Sequence, residues 1–156
     1  MITAGHTRWP VGDDPPPIAG FVLSTFAPLV AAVAQRCLTA AGDPPPRTAI
    51  VLATAYGDVT SARHVANAVD RGVRVGPLMF FQSVPNAVAG HVAARHGLHG
   101  PVVCVSPSTR DTALADGLFE AALLFADGDA DAALVIAADQ NPDTAEAVLA
   151  RPGGTP

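Results

Sequence analysis

Two adjacent hydroxyl side chains, Ser108 and Thr109, are residues whose type and placement could support nucleophilic chemistry. They follow a short apolar run and precede a segment predicted to be a helix, which places them in a turn between a strand and a helix. A hydroxyl accepts an acyl group only when a neighbouring base takes its proton, and His91, His96 and His99 are nearby in the sequence. Acyl transfer through Ser108 or Thr109 is therefore one hypothesis, and it requires an imidazole within hydrogen-bond distance.

The same two hydroxyls also have a structural interpretation. They stand before a predicted helix whose start carries Asp111 and Thr112, and such polar side chains cap the unpaired amides of a helix N-terminus. Capping needs only local geometry and is the favoured interpretation, with acyl transfer as the alternative.

The histidines and cysteines do not form a metal-binding or disulfide pattern. His91, His96 and His99 are spaced five and three apart, so they do not share one helical face, and no carboxylate or cysteine completes a zinc-like set. Cys37 and Cys104 lie in apolar surroundings, which predicts two reduced, buried thiols. Gly-rich nucleotide-binding motifs are also absent from the sequence, so we predict neither a metal nor a cofactor.

Length and composition favour one globular domain. The chain has 156 residues, of which 49% are hydrophobic, and this is enough for one sizeable core. The net charge of −5 comes without a basic run, which argues against nucleic-acid binding. Apolar runs are broken by Pro, Gly or charge, and the N-terminal segment lacks the apolar stretch of a signal peptide. We therefore expect a cytoplasmic protein without a membrane span.

Alternating helix and strand patterns predict an α/β fold with a mainly parallel sheet flanked by helices. The predicted elements are a helix over 25–41, a strand over 48–55, helices over 61–70 and 85–96, a strand over 102–105, a helix over 111–126 and a strand over 132–137. Thr60 or Ser61 is predicted to cap the second helix. We predict an irregular arm over 1–24, the α/β domain over 25–140, and a tail over 141–156 that holds one short helix before a disordered end.

Two further segments have open interpretations. Leu78–Ser83 is the most concentrated apolar cluster outside the predicted strands, which by itself predicts ordinary core packing at the start of a helix. Tyr56, Gly57 and Asp58 follow the first predicted strand, at the end where ligands of open α/β sheets bind. A Gly-Asp pair is equally typical of an ordinary turn.

A set of spaced motif residues points to a known family: Pro77, Asn86, Ala89, Gly90, Gly97, Leu98, Gly100 and Pro101. The pattern P-x(8)-N-x-x-A-G followed by G-L-x-G-P resembles the N-terminal half of a β-ketoacyl synthase. The resemblance spans roughly residues 26–138 and implies the thiolase-like fold of ketosynthases and chain-length factors. In that family the next strand leads to a nucleophilic cysteine, whose place falls on Thr109 when counted forward from Pro101 and on Asp111 when counted back from Asp131.

The resemblance implies a chain without the family's catalytic machinery. Neither Thr109 nor Asp111 is a thiol, and a hydroxyl without an adjacent base is a poor substitute. A complete ketosynthase is more than twice as long and draws two catalytic histidines from its C-terminal half. We therefore predict no catalytic residue, and Ser108 and Thr109 remain the candidates of the alternative enzyme hypothesis.

The resemblance also implies a partner. Five residues are expected to line an acyl pocket or a subunit interface: Met79, Phe80, Phe81, Gln82 and Asn86. A ketosynthase subunit, an acyl carrier protein or both are the implied partners, in a homo- or hetero-oligomer that contacts strand 102–105 and the helix after it.

The implied function is that of a non-catalytic, chain-length-factor-like protein of fatty-acid or polyketide biosynthesis. The alternatives are a small acyltransferase or thioesterase-like enzyme that uses Ser108 or Thr109, and a non-catalytic module that binds an acyl or pantetheine group.

Overall fold

The computed structural model describes residues 1–10 and 12–153. Within these residues the strands are β1 (Ile2–Arg8), β2 (Thr48–Ala53), β3 (Val102–Val105), β4 (Ala132–Asp139) and β5 (Thr144–Arg151). The helices are α1 (Phe26–Ala41), α2 (Val59–Asp70), α3 (Pro77–Gln82), α4 (Pro85–His96) and α5 (Ala113–Ala126), with a 3₁₀ turn at Arg110–Thr112. The predicted α/β fold class is confirmed.

The strands form one mixed sheet in the order β1-β5-β4-β2-β3. β2 pairs in parallel with β3 and β4, so that Ile50 lies opposite both Val102 and Leu134. β5 runs antiparallel to both β4 and β1. The sheet is therefore parallel across the three strands predicted from the sequence, and the two strands that were not predicted make it mixed.

The predictions for the secondary structure of the two termini were wrong. The segment predicted as an irregular arm contains β1, an edge strand rich in polar residues whose register shifts between Ala4 and Thr7. The segment predicted as a tail contains β5, although its Ala, Glu and Leu residues favour a helix in isolation. β5 pairs with both β4 and β1, and its Ala147 and Leu149 are buried in the core cluster that includes α1; these tertiary contacts override the local preference. Residues 154–156, where a disordered end was predicted, lie outside the described residues.

Alternate residues of the central strands face two separate layers of helices. Ile50, Leu52, Leu134 and Ile136 pack with α1 and α4 on one face. The small residues Ala49, Val51, Ala133 and Val135 pack with α5 on the other face. This alternation is what a strand that is covered on both faces requires.

β3 lies at one edge of the sheet and pairs with β2. Val102 is 40% exposed and Cys104 is exposed as well. The prediction that Cys104 is buried was therefore wrong, because an apolar run does not reveal whether a second strand covers its outer edge. Cys37 is buried as predicted, and its Sγ donates to the carbonyl oxygen of Gly5 at 2.8 Å.

Two glycines of the sequence motif have clear backbone roles. Gly97 ends α4 in the left-handed conformation, with φ of +63°. A Cβ on Gly100 would lie 2.5 Å from the carbonyl carbon of Thr48, so the approach to β3 has room only for glycine. The G-L-x-G-P motif thus serves the turn from α4 into β3.

The cap of α2 differs from the prediction. Asp58, rather than Thr60 or Ser61, is the N-cap residue, and its Oδ1 accepts a hydrogen bond from the Ser61 backbone N–H at 2.9 Å. The Ser61 hydroxyl donates to Asp58 Oδ2 at 2.7 Å. Asp58 therefore has a structural role at this turn.

Candidate functional site

A cavity of about 380 Å³ opens where β1 and β4 end and β5 begins, beside the start of α5. Its lining combines four alanines, one aromatic residue, one hydroxyl residue and five charged residues: Ala113, Ala137, Ala138, Ala145, Trp9, Thr144, Arg8, Arg110, Asp111, Asp139 and Glu146. The carboxyl ends of parallel strands are where open α/β sheets bind ligands. We therefore take this space, called the site cavity below, as the candidate functional site.

One rim of the site cavity is an ion cluster on β1 and β5. Glu146 Oε2 lies 2.9 Å from His6 Nε2 and accepts from Arg8 Nε at 3.1 Å. Partial burial raises the pKa of Glu146, but the hydrogen bonds and positive charges of His6 and Arg8 together outweigh burial, so the pKa lies below its ordinary value. This rim therefore holds a stabilised carboxylate.

The opposite rim is formed by Arg110 and Asp111, at the 3₁₀ turn before α5. Arg110 Nη2 donates to the carbonyl oxygens of Gln140 and Asn141 at 3.1 and 3.2 Å. Its guanidinium carbon lies 5.6 Å from the centre of the Tyr56 ring, within cation–π range. Arg110 thus ties the start of α5 to the β4–β5 turn and to the loop after β2.

The two positions counted for a nucleophile lie in different surroundings. Asp111 lines the site cavity, whereas Thr109 is exposed and does not belong to the lining. Thr109 has extended backbone and precedes the 3₁₀ turn without a side-chain cap bond. The N-cap of α5 is Thr112, which also makes no side-chain cap bond, so the prediction that Ser108 or Thr109 caps this helix was wrong.

His96 and His99 lie near one end of β3, whereas the hydroxyls of Ser108 and Thr109 follow the other end. His99 N donates to the Pro46 carbonyl at 2.7 Å, before β3 begins, and His96 ends α4. Ser108 and Thr109 follow the other end of β3, whose residues alone span about 10 Å. The structure therefore does not bring His96 or His99 to the hydroxyls.

His91 and His96 lie on α4, and the Nε2 of each is buried without a hydrogen-bond partner among the described residues. Burial lowers the pKa of His96, and the positive charges of Arg95 and His91 lower it further. The His91 ring packs edge-on against Phe21, with 5.9 Å between ring centres. His91 thus packs against the segment before α1, and His96 is partly buried at the end of α4.

The residues expected at an acyl pocket or interface lie on α3 and at the start of α4. Phe80 is 69% exposed and Phe81 is 51% exposed, so ordinary core packing does not describe them. Gln82 is only 4% exposed, and its Oε1 accepts from the Val22 backbone N–H at 3.1 Å. Asn86 is exposed, and its Oδ1 accepts from Cys104 Sγ at 2.8 Å.

Sequence reasoning missed three buried polar residues at this edge of the sheet. Asp139 and Thr54 are buried, and Thr54 Oγ1 donates to Asp139 Oδ1 at 3.0 Å. Gln140 is also buried and accepts from the Thr60 backbone N–H through Oε1 at 3.1 Å. A polar residue directly after an apolar strand was the available signal, because that position faces the carboxyl edge of the sheet.

Within residues 1–10 and 12–153, the structure contains no group of three or more His, Cys, Asp or Glu side chains arranged to hold a metal ion. In the same part of the chain, every helix is too short or too polar to cross a membrane.

A comparison with known protein families identifies the family of this chain. Residues 16–151 match the family described as beta-ketoacyl synthase, N-terminal domain. The chain therefore belongs to the β-ketoacyl synthase family, as the motif residues predicted. No curated protein matches the chain.

Solved structures of ketosynthase complexes share the fold. The ishigamide ketosynthase/chain length factor has a TM-score of 0.74 at 18% identity, over 87% of this chain and 46% of that chain. The ketosynthase ApeO of Xenorhabdus doucetiae, in complex with its chain length factor ApeC, has a TM-score of 0.67 at 20% identity, over 85% of this chain and 59% of that chain. The complex AntDE:AntF, a type II PKS acyl-carrier protein with its ketosynthase bound to the hexaketide, has a TM-score of 0.63 at 18% identity, over 83% of this chain and 47% of that chain. The chain thus spans about half the length of these proteins.

Proposed function

We propose that this ketosynthase-family chain is a non-catalytic partner protein of fatty-acid or polyketide biosynthesis. Its role is similar to that of a chain-length factor, and it acts beside a ketosynthase subunit, an acyl carrier protein or both. The cytoplasmic location expected from the sequence belongs to the same proposal.

The observation that carries the proposal is the chemistry of the site cavity. Among the described residues that line it there is no thiol and no imidazole, and the counted position Asp111 contributes a carboxylate beside Arg110. Condensation through an acyl thioester needs a thiolate nucleophile, and a carboxylate at that place cannot form the same intermediate.

Exposed apolar side chains support an assembly. Phe119 on α5 is 65% exposed and Leu123 is 43% exposed, while Phe80 and Phe81 protrude from α3. The outer edge of β3 carries a row of backbone groups and the exposed side chain of Val102. Exposed apolar surface and free strand edges are typical of protein interfaces. We assign these surfaces to contact with the partner.

The test has two parts, covalent loading and complex formation. The chain is incubated with acetyl- and malonyl-loaded acyl carrier protein and examined by intact mass spectrometry, alone and with a co-purified ketosynthase. The proposal predicts no added acyl mass and a stable complex that persists in Ser108→Ala and Thr109→Ala. A stable acyl adduct that disappears in one of these variants would instead favour the acyltransferase or thioesterase-like enzyme.

A second candidate function follows from the cavity's size. About 380 Å³ lies within the range of small-molecule sites, and the alanines among its lining leave space for a slender group. This favours a module that holds an acyl or pantetheine group without turnover. Saturable binding of pantetheine by calorimetry, with no mass change and no protein complex, would support this alternative over the partner role.

A further inference from the structure

A buried carboxylate organises the loop that follows β2. Asp139, at the end of β4, is 2% exposed. Its Oδ1 accepts from the Thr54 hydroxyl at 3.0 Å and from the Tyr56 N–H at 2.9 Å, and its Oδ2 accepts from the Ala55 N–H at 3.2 Å. The Gly57 N–H donates to Thr54 Oγ1 at 2.9 Å. Three consecutive backbone amides are thus paired through one carboxylate and one hydroxyl.

The loop held in this way places an aromatic side chain next to Arg110, which lines the site cavity. Tyr56 lies beside Arg110, 5.6 Å from ring centre to guanidinium carbon. Arg110 in turn donates to the carbonyl oxygens of Gln140 and Asn141, which directly follow Asp139. The Asp139 segment therefore holds both members of the Tyr56–Arg110 pair, one through a side chain and one through the backbone.

Gln140 extends the same connection to a third segment. Its Nε2 donates to Ser24 Oγ at 3.0 Å and to Thr25 Oγ1 at 3.1 Å, and its Oε1 accepts from the Thr60 N–H. The segment before α1, the start of α2 and the end of β4 are consequently joined at the carboxyl edge of the sheet.

We propose that Asp139 is a positioning residue for the site cavity, which fixes the Thr54–Gly57 loop and thereby the place of Tyr56 against Arg110. Both carboxylate oxygens already accept hydrogen bonds from the loop, so Asp139 acts through Tyr56 and Arg110. This role is independent of the identity of the partner and of any ligand, and it holds whether or not the chain is a chain-length-factor-like protein.

The choice of aspartate has a physical reason. A charged acceptor pairs two backbone amides at once, and each such bond contributes more than a neutral one. In Asp139→Asn one oxygen becomes an NH₂ group, which cannot accept from the Ala55 or Tyr56 N–H. In Thr54→Val both the hydroxyl donor to Asp139 and the acceptor for Gly57 are lost, whereas Thr54→Ser keeps both and is the matched control.

The experiment is residue-resolved amide hydrogen exchange on the full chain, with Tyr56 ring resonances recorded by NMR. In the unsubstituted protein the Ala55 and Tyr56 amides should exchange at least about tenfold more slowly than free-peptide amides, since their acceptor is a charged group. In Asp139→Asn the remaining oxygen can serve only one of the two amides in this geometry, so exchange of the other should rise about tenfold more than that of amides in the middle of β2, with a shift of the Tyr56 resonances. Thr54→Val should raise exchange at Gly57, and Thr54→Ser should leave all three amides unchanged.

Free-peptide exchange at Ala55 and Tyr56 in the unsubstituted protein would overturn the proposed role, even if Asp139→Asn does not fold. A uniform rise across the sheet in Asp139→Asn, with unmoved Tyr56 resonances, would also overturn it, because that result reduces Asp139 to a general contribution to stability.

Discussion

The same glycine-to-alanine change should have opposite effects on two helices of this protein. Gly90 lies in the interior of α4, and a Cβ built there has no atom of the described residues within 4 Å. Alanine removes conformational freedom from the unfolded chain and has the higher helix propensity, so Gly90→Ala should raise the free energy of unfolding by about 0.5–1 kcal/mol.

Gly117, in the interior of α5, provides the opposite case. A Cβ at this position would lie 2.7 Å from Val135 Cγ1, so α5 must move away from the sheet or Val135 must shift. Overpacking of this kind costs about 1–3 kcal/mol, which exceeds the gain in helix propensity. Gly117→Ala should therefore lower the free energy of unfolding by about 0.5–2 kcal/mol.

Urea unfolding followed by circular dichroism measures both effects, and equal m values are needed for a simple comparison. In a chain of this length about 1 kcal/mol corresponds to a change of about 2–4 °C in Tm. Destabilisation by Gly90→Ala or stabilisation by Gly117→Ala would contradict the packing described for that helix.

Gly90→Ala also probes the proposed assembly. Gly90 is exposed one turn after the exposed Asn86, whose side chain contacts Cys104 on the edge strand. If this face of α4 contacts the partner, the added methyl group should weaken the complex although it stabilises the isolated chain.

Three further predictions concern the cysteines and the charged rim. Cys104 should react with a maleimide under native conditions, but more slowly than a fully solvated cysteine, because partial burial raises its pKa. Cys37 should react only after unfolding. Intact-mass measurements on Cys104→Ser and Cys37→Ala show which cysteine is labelled, and two labels on the native protein would contradict the burial of Cys37. Burial raises the pKa of Cys37 from 9.0 to about 11, because it outweighs the opposing effect of hydrogen bonds. The unfolded thiol therefore loses its proton at a lower pH than the folded one. The free energy of unfolding should fall by about 1–3 kcal/mol as the pH rises from 9.0 towards 11. Urea titrations should show a smaller alkaline loss in Cys37→Ala, and an unchanged loss would refute the assignment. The contribution of Glu146 to stability depends on pH in the opposite direction, because His6 and Arg8 lower its pKa in the folded state despite partial burial. This contribution is present at neutral pH and is lost as the pH falls through the folded pKa. Glu146→Gln should cost about 0.5–1 kcal/mol at neutral pH and reduce the acid dependence, and an identical acid profile would argue against this ion cluster.

Local patterns in the sequence are sufficient for the centre of this fold. The apolar runs of β2 and β4 predict strands, and helical spacing predicts α1 and α5. The sequence identifies Gly100 as a motif residue but does not explain why glycine is needed there. The explanation is the close approach of the Thr48 backbone, which only the structure shows. The strand and helix patterns can be recognised in the sequence because each depends only on residues within one element or one turn.

The remaining features depend on contacts that are distant in the chain. β5 has a composition that favours a helix, and it is a strand because β4 and β1 flank it. The hydrogen bond between Thr54 and Asp139 joins residues 85 positions apart, so neither residue reveals its role locally. The exposure of Cys104 likewise follows from the position of β3 at the edge of the sheet, which its apolar sequence does not indicate.

The most direct test of the proposed partner role is native mass spectrometry of the tagged chain purified from its own cells, followed by identification of each subunit. The proposal predicts a complex of fixed stoichiometry with a ketosynthase or an acyl carrier protein, and no acyl adduct on this chain. A monomer without a partner, or a chain that carries an acyl group on Ser108 or Thr109, would contradict the proposal.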